Sequence, residues 1–321
     1  MTPPTSPATR CTLCQSDRCD VIRKKLRYDV KRDVLRCQNC GFVFLRPTEK
    51  GSKKMYEDAY RKNYGPDLTR QTGCQEAFDT YFPFQKPIIG RIEHLLRPDM
   101  RVLDVGCSTG HFLAALKGRV AVRVGLELSK DEVNFIRTRL DFPVYNEPIE
   151  TAAISEGPFD LITVFQVLEH IDDPIGFLRN VGKHLKPDGI LYIEVPNLQD
   201  ILLEYYDVPE YADFYFREPH VSYFTRDTLR QVTELAGFTG TIGNTQSFSL
   251  LNHLHWKLTG KPQKNFTLGN SDPVLMEGAT GDPATKDEFN GFIQRANREY
   301  KALVEKHGLG ESVTFSGRKI S

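Results

Sequence analysis

Residues 101–113 have the sequence RVLDVGCSTGHFL. The residues before Gly106 are mostly apolar and β-branched, which is typical of a buried parallel strand. This run ends at an acidic residue and a glycine turn, and residues 111–117 then have a helical pattern. A strand, a glycine turn and a helix form the first unit of a nucleotide-binding α/β sheet, with the ligand at the carboxyl end of the strand. Gly106 and Gly110 allow the backbone to turn sharply and to approach a ligand closely.

An acidic residue also follows the next predicted strand. Strand 120–126 ends at Glu127, which lies 23 residues beyond Asp104. Nucleotide-binding folds hold the ribose hydroxyls with an acid at this position, because one carboxylate can accept hydrogen bonds from both hydroxyls. The alternative is a solvated acid at a strand end. Residues 129–132 (SKDE) have the pattern of a capping box and predict the start of a helix.

Two common nucleotide motifs are missing from this region. The dinucleotide fingerprint G-x-G-x-x-G has glycines at the positions where Ser108 and His111 stand. The phosphate loop G-x-x-x-x-G-K-[ST] is also absent from the sequence. The missing dinucleotide glycines therefore disfavour a dehydrogenase.

The stretch VLDVGCSTGHFL resembles the first motif of class I S-adenosylmethionine (SAM)-dependent methyltransferases, whose usual form is D-x-G-x-G-x-G, with Ser108 at the middle glycine. Residues 159–197, FDLITVFQVLEHIDDP…FLRNVGKHLKPDGILYIEVPN, closely resemble the fourth and fifth motifs of family members that act on small molecules. The resemblance extends over about residues 84–245. It implies SAM as the methyl donor and a doubly wound, Rossmann-like sheet of seven mostly parallel strands.

The resemblance also implies which residues contact SAM. The methionine part is expected near Asp104, Gly106 and Gly110, and the ribose on Glu127. The loop at residues 146–150 is expected to lie against the adenine. The full set of predicted SAM-binding residues is Asp104, Gly106, Cys107, Ser108, Gly110, Glu127, Phe165 and Gln166.

Two C-x-x-C pairs near the start of the chain predict a metal site. Cys11 and Cys14 form the first pair, and Cys37 and Cys40 form the second, with 22 residues between the pairs. Two such turns complete a tetrahedral four-cysteine site, which has no open position and is therefore structural, with zinc as the expected metal. The alternative is four unligated thiols. The module resembles one found in a subset of SAM-dependent methyltransferases, some of which C-methylate nucleotide-linked deoxysugars. Those relatives carry a large second C-terminal domain, for which this chain has no room.

These patterns divide the chain into three parts. We expect a zinc ribbon with a disordered start at residues 1–46, and a helical connector or lid at 47–83. The methyltransferase domain is expected at 84–321, with an insertion at about 249–310 that serves as a substrate lid, a dimer arm or both. Tyr56, Tyr60 and Tyr64 recur at helical spacing in the connector. They are expected to pack on the core or to line the mouth of the active site.

Residues 205–224 (YYDVPEYADFYFREPHVSYF) are aromatic, acidic and without periodicity, so they predict an irregular wall for the methyl acceptor. The segment follows the fifth predicted strand of the methyltransferase sheet, on the ligand side. An imidazole titrates near neutrality and suits proton removal from an acceptor. We expect His220 to be this base with support from Glu218, and His170 is the next candidate.

The composition of the chain limits its expected partners and its expected location in the cell. Lys and Arg together number 42, which equals the number of Asp and Glu, and no apolar run reaches the roughly 20 residues that span a bilayer. We therefore expect neither nucleic acid nor a membrane span, and the apolar core of a signal peptide is missing at the start. The expected protein is a cytoplasmic methyltransferase, with a homodimer as an option. Its expected acceptor is a sugar, nucleotide sugar, glycan precursor or natural product. The alternative is a catalytically inactive scaffold of the same fold.

Overall fold

A computed structural model describes residues 9–48, 65–278 and 280–320. The strands in these residues are β1 (Cys19–Lys25), β2 (Lys31–Cys37), β3 (Val43–Leu45), β4 (Arg101–Val105), β5 (Val122–Leu126), β6 (Val144–Tyr145), β7 (Phe159–Phe165), β8 (Leu185–Pro196), β9 (Ser222–Tyr223), β10 (Phe238–Thr245) and β11 (Ser312–Lys319). The α-helices are α1 (Cys74–Tyr81), α2 (Gln85–Ile92), α3 (His111–Ala115), α4 (Lys130–Arg139), α5 (Pro174–Lys183), α6 (Ile201–Glu204), α7 (Pro209–Tyr215), α8 (Arg226–Leu235), α9 (Leu250–Thr259), α10 (Phe266–Asn270) and α11 (Pro283–Lys306).

The larger sheet has seven strands in the order β10-β11-β8-β7-β4-β5-β6. Strands β8, β7, β4, β5 and β6 pair in parallel, whereas β11 is antiparallel to both of its neighbours. This topology confirms the predicted Rossmann-like methyltransferase fold with seven mostly parallel strands. The central strands are buried on both faces, as continuous apolar runs such as Phe159–Phe165 require.

The smaller sheet joins the cysteine module to a distant part of the chain. Its order is β1-β2-β3-β9, so three strands from the cysteine module pair with a strand that lies far along the chain. Val43 pairs with Tyr223, and Phe44 pairs with Ser222. The cysteine module is therefore built into the body of the protein by backbone hydrogen bonds.

Two local predictions are wrong. Residues 205–224 are not irregular, because they contain α7 and β9. The capping box at 129–132 does not form, because the Ser129 side chain makes no cap bond and Glu132 bonds to Ser108 instead.

Some predictions concern residues that the structure does not describe. Residues 1–8 of the expected tail and residues 49–64 of the connector lie outside the described residues, and the latter include Tyr56, Tyr60 and Tyr64. Within the described ranges, no helix combines the length and the apolar character needed to cross a membrane.

Candidate functional site

The turn after β4 has the backbone geometry of a ligand-binding loop. Gly106 and Gly110 have φ of 76°, and Ser108 between them has φ of 51°. A Cβ atom on Gly106 would lie 2.4 Å from Cγ2 of Val167, so this position admits glycine alone. Ser108 adopts a left-handed conformation that non-glycine residues rarely occupy and that occurs often at functional sites. Ser108 thus takes up the backbone conformation that a glycine at this position would adopt without strain.

The carboxylate of Glu127 organises this loop. One oxygen accepts a hydrogen bond from the backbone N–H of Ser108 at 2.9 Å, and the other accepts from the N–H of Ser129 at 2.8 Å. Glu127 therefore fixes the loop at the end of β5, where the ribose is expected.

Asp104 lies at the carboxyl end of β4, buried on the floor of the site. Its Oδ1 accepts a hydrogen bond of 2.7 Å from the hydroxyl of Thr163 on β7. Burial raises the pKa of Asp104 to about 7, although the Thr163 bond opposes this shift. A cationic ligand group beside Asp104 would favour its ionised form.

The other predicted cofactor residues also lie around this loop. Cys107 is buried in the core behind the turn, beside Gly125. Phe165 stacks edge-on against Phe112, with 4.8 Å between ring centroids. Gln166 has φ of 54°, and its amide donates to the Ser312 hydroxyl at 3.2 Å. Strain at Gln166 and Ser108 thus marks the ends of β7 and β4, where the fold places its ligand.

A cavity of about 920 Å³ opens above these strand ends. This volume is at the upper end of the roughly 300–1,000 Å³ that ligand pockets occupy, so two small molecules can share it. The glycine loop and Glu127 line one side. Most of the predicted site residues line it as well: Asp104, Gly106, Cys107, Ser108, Glu127, Phe165, Gln166, His170 and His220.

The opposite side of the cavity is aromatic. Trp256 on α9 makes edge contacts with Tyr211 and Phe214 on α7, at centroid distances of 5.0 and 5.1 Å. The ordered helix α7 thus supplies the wall that we expected from an irregular segment. Trp256 was missed because no helix was predicted at 250–259, where the apolar positions are interrupted by polar residues.

His220 is buried at the edge of this wall, with its ring 4.7 Å from that of His170. The Nε–H of Arg217 donates a hydrogen bond of 2.8 Å to Nε2 of His220. Burial lowers the pKa of His220 well below its usual value, and the nearby Arg217, His170 and Arg27 lower it further. His220 is therefore a neutral imidazole whose Nε2 lone pair is already occupied.

The acid beside His220 is Glu169, not Glu218. An Oε atom of Glu169 lies 3.9 Å from Nε2 of His220 and 3.7 Å from Nε2 of His170. Glu218 is half-buried outside the cavity lining and acts electrostatically on Arg32 of the cysteine module. The expected pairing of Glu218 with His220 is thus replaced, because the tight turn at Pro219 directs the two side chains to different surroundings.

Glu169 and His170 are both held in their neutral forms by burial. Burial raises the pKa of Glu169 to about 8, and among the described residues its two oxygens have no hydrogen-bond partner. Burial lowers the pKa of His170 to about 3, and Nδ1–H of His170 donates to the Pro219 carbonyl at 2.8 Å. Glu169 belongs to the quoted motif FQVLEH, so its adjacency to His170 is the signal that could have indicated it.

The four cysteines meet as predicted from their spacing. Sγ of Cys11 lies 3.6 Å from Sγ of Cys40, and Sγ of Cys14 lies 3.5 Å from Sγ of Cys37. A tetrahedral site with Zn–S bonds of about 2.3 Å separates its sulfurs by about 3.8 Å. The donor set and its spacing therefore fit a four-thiolate zinc ion.

A sequence comparison now gives the family. The model of a methyltransferase domain family matches residues 80–241, which is half of the chain. The chain belongs to this family. Its matched part covers the turn after β4, Glu127 and the β7–β8 region, which all border the cavity described above.

Curated relatives match part of this methyltransferase domain. The ubiquinone biosynthesis O-methyltransferase of Xanthomonas campestris is 32% identical over 107 residues, which are 31% of this chain and 44% of that enzyme. The enzyme of the same name from Vibrio campbellii is 29% identical over 104 residues, which are 30% of this chain and 44% of that enzyme. The match thus spans less than half the length of either relative.

Solved methyltransferase structures cover a larger share of the chain. A SAM-dependent methyltransferase from Archaeoglobus fulgidus has 20% identity and a TM-score of 0.48, covering 76% of this chain and 97% of its own. One from Thermotoga maritima has 19% identity and a TM-score of 0.45, covering 77% of this chain and 90% of its own.

Proposed function

We propose that this protein transfers the methyl group of SAM to a small molecule. The observation that supports this proposal most is the continuous cavity, which joins the glycine loop and Glu127 to an aromatic wall with two buried histidines. Donor and acceptor can then lie in line, and holding them so is the main task of the protein. SAM supplies an activated methyl on a sulfonium, so the donor itself needs no metal.

The donor is proposed to lie over the ends of β4 and β5. Asp104, with Gly106 and Gly110, faces the methionine part, and Glu127 accepts hydrogen bonds from the ribose hydroxyls. Cys107 and Ser108 contribute backbone groups of the loop, and Phe165 and Gln166 close the site from β7. The loop after β6 lies against the adenine, which is supported by Pro148, Ile149 and Glu150 in the cavity lining.

The acceptor is proposed to lie against the aromatic wall of α7 and α9. Flat aromatic faces suit a sugar, nucleotide sugar, glycan precursor or natural product with apolar and hydroxylated faces. An acceptor hydroxyl, amine or carbon acid must lose a proton, and His220 and His170 are the candidate bases that line the cavity. Glu218 lies outside the cavity lining and remains a candidate for supporting the base.

Zinc is proposed as a structural ion. Cys11, Cys14, Cys37 and Cys40 provide four thiolates and leave no open coordination position, so the ion would stabilise the fold of the N-terminal module. We retain the proposed division of the chain into a ribbon at 1–46, a connector at 47–83 and a methyltransferase domain at 84–321.

A binding and turnover experiment tests the proposed function. Calorimetry with SAM and S-adenosylhomocysteine should show one site per chain, and labelled methyl from SAM should appear by mass spectrometry in a sugar, nucleotide-sugar or natural-product acceptor. SAM binding without transfer to any acceptor would favour the alternative of an inactive scaffold. Absence of SAM binding would contradict the proposal.

Replacement of His220 tests the assignment of the base. His220→Ala should retain SAM affinity and lower turnover roughly 10²–10⁴-fold, which is the usual effect of removing a positioned base. The matched variant His94→Ala changes an exposed histidine outside the cavity lining and should turn over normally. Normal turnover of His220→Ala would instead indicate His170 as the base, and loss of SAM affinity would place His220 in the donor site.

A further inference from the structure

The hydrogen bond between Arg217 and His220 raises a difficulty for base catalysis. A guanidinium only donates hydrogen bonds, so Nε2 of His220 must be the acceptor in this 2.8 Å contact. The lone pair that would remove a proton from the acceptor is therefore occupied. His220 can act as a base only after Arg217 has moved its Nε–H to another acceptor.

The partner that can draw Arg217 away is an anion. Hydrogen bonds between ionised groups are roughly twice as strong as those between neutral ones, and guanidinium forks match carboxylate and phosphoryl oxygens. Neutral His220 is a weaker partner for Arg217 than either anion. Arg217 also lines the cavity, and its backbone is held at both its N–H and its carbonyl by the hydroxyl of Tyr223. The side chain can thus change partners while its backbone stays in place.

A second arginine reaches the same part of the cavity from the cysteine module. Arg27 is only 8% exposed and lines the cavity, and its guanidinium lies 3.7 Å from the centroid of the Phe214 ring. Its backbone N–H donates to the carbonyl of Phe216 at 2.6 Å, which ties it to the acceptor wall. Arg27 and Arg217 both act electrostatically on His220, so two positive charges meet around this ring.

We propose that an anionic oxygen group of the acceptor, phosphoryl or carboxylate, binds Arg217 and Arg27 and thereby frees Nε2 of His220. The inference rests on the proposed function and narrows its acceptor to anionic small molecules. Once Nε2 is free, the proton that leaves the acceptor binds there. Glu169 lies 3.9 Å from this atom, so its carboxyl group is beside the resulting imidazolium.

A divalent cation is the competing ligand for this corner. Glu169, His170 and His220 each offer a ligand atom, and these atoms lie within 4.8 Å of one another. The positive charge of Arg217 and its bond to Nε2 of His220 oppose such an ion. We therefore favour the anion and use the cation as a test outcome.

Histidine NMR on the full chain tests the proposal without turnover. The pH titration of ¹⁵N-histidine-labelled protein is recorded without an added anion, with inorganic pyrophosphate and with malonate. The signal that is missing in His220→Gln is assigned to His220. Pyrophosphate represents a phosphoryl group and malonate a carboxylate. At least one should bind, shift the Nε2 resonance and raise the titration midpoint of His220 by one pH unit or more. The probe that does so identifies the source of the anion.

Arginine variants test whether the anion changes the titration of His220 through Arg217 and Arg27. Arg217→Gln should raise the His220 midpoint without any anion and weaken the effective probe roughly tenfold or more, and Arg217→Lys should retain part of the probe affinity. Arg27→Gln should also weaken that probe. Arg36→Gln is the matched control, because Arg36 is an exposed arginine of the same module that lies outside the cavity lining. Thermal unfolding confirms that each variant is folded.

The outcomes separate this inference from the proposed function. If S-adenosylhomocysteine binds but neither probe affects His220, the inference is overturned and the methyltransferase assignment stands. Equal probe binding by Arg217→Gln and the unaltered chain also overturns it. A joint shift of His170 and His220 with Mg²⁺ or Zn²⁺, and with neither anion, identifies a cation site instead. If S-adenosylhomocysteine does not bind, the proposed function itself fails.

Discussion

At the residue scale, Glu127 has two tasks that depend on the same carboxylate. It accepts hydrogen bonds from the backbone N–H groups of Ser108 and Ser129, and it is proposed to accept bonds from the ribose. The loop contacts hold the carboxylate in place before a ligand arrives. Preorganisation of this kind reduces the entropy lost on binding.

Glu127→Ala should weaken binding of S-adenosylhomocysteine, because it removes charge-assisted hydrogen bonds worth about 1.5–3 kcal/mol. Calorimetry measures this loss, which corresponds to roughly 10- to 150-fold in the dissociation constant. Glu127→Gln keeps one acceptor oxygen, so its affinity for S-adenosylhomocysteine should lie between those of Glu127→Ala and the unaltered chain. Glu234→Ala, an exposed acid on α8 outside the cavity lining, is the control and should bind normally. Unchanged affinity in Glu127→Ala would contradict the proposed ribose contact.

Glu169 makes the stability of the protein depend on pH. Its pKa is raised from 4.5 to about 8 by burial, so between these values the folded state holds a proton that the unfolded state has released. Its contribution to stability is therefore complete below about pH 4.5 and is lost as pH rises towards 8. Glu169→Gln cannot ionise and should not show this loss.

The free energy of unfolding of the two proteins, measured in urea from pH 5 to pH 9, checks this sign. The variant should gain stability relative to the unaltered chain as pH rises to 8, by an amount on the order of 1–3 kcal/mol, with no further gain above it. Glu210, an exposed acid at the start of α7, provides the control variant Glu210→Gln, whose curve should run parallel to that of the unaltered chain. Parallel curves for Glu169→Gln would mean that Glu169 is ionised in the folded state.

At the element scale, the turn between β4 and α3 depends on Gly110. This residue begins α3 with φ of 76°, and a Cβ there would lie 2.8 Å from Cζ of Phe142 and 2.9 Å from Cδ1 of Leu140. Both the backbone conformation and the packing of α4 against the turn therefore require glycine. Gly118 has nearly the same φ, 75°, but a Cβ there would contact nothing within 4 Å.

These two glycines allow strain and crowding to be separated. Gly118→Ala should lose about 1 kcal/mol of stability from its left-handed backbone alone. Gly110→Ala should lose about 1–3 kcal/mol more, because the added methyl overpacks the core. Thermal unfolding measures both. Equal losses would show that Phe142 and Leu140 move aside without cost.

At the scale of the whole molecule, the two sheets are connected through the acceptor wall. Strand β3 of the cysteine module pairs with β9, only two residues beyond His220, and Arg23 forms an ion pair with Asp213 on α7. The N–H of Leu45 also donates to the carbonyl of Val221 at 2.9 Å. Loss of the zinc proposed for the module should therefore disturb the structure of the proposed acceptor side more than that of the proposed donor side.

Cys37→Ser should lower the zinc content, measured by elemental analysis, from one ion per chain. It should also weaken methyl transfer, because β2 and β3 then no longer hold Arg27 against the cavity. Affinity for S-adenosylhomocysteine should change less than about twofold, since its proposed contacts lie on the larger sheet. Cys74→Ser, outside the four-cysteine cluster, should retain zinc and activity. Full zinc content in Cys37→Ser would contradict the proposed ligand set.

The sequence by itself determined the parts of this protein that local spacing encodes. The apolar strands, the glycine turn at 106–110 and the acid at the end of the second strand were all predicted, and the structure has each of them. The four cysteines were predicted to meet and do so. Steric requirements of turns and the periodicity of strands act within a few residues, so they can be recognised without the fold.

Only the tertiary structure decided how the acceptor side is built. Arg27 and Trp256 belong to elements more than 200 residues apart in the sequence, and no local pattern indicates that both line one cavity. Glu169, and not the predicted Glu218, lies beside His220, and Arg217 donates a hydrogen bond to His220. Both contacts follow from how a turn, the 3₁₀ segment that carries Glu169 and β9 pack together. These contacts depend on burial and long-range packing, which is why local patterns predicted the turn after β4 and the position of Glu127 but not the contacts around His220.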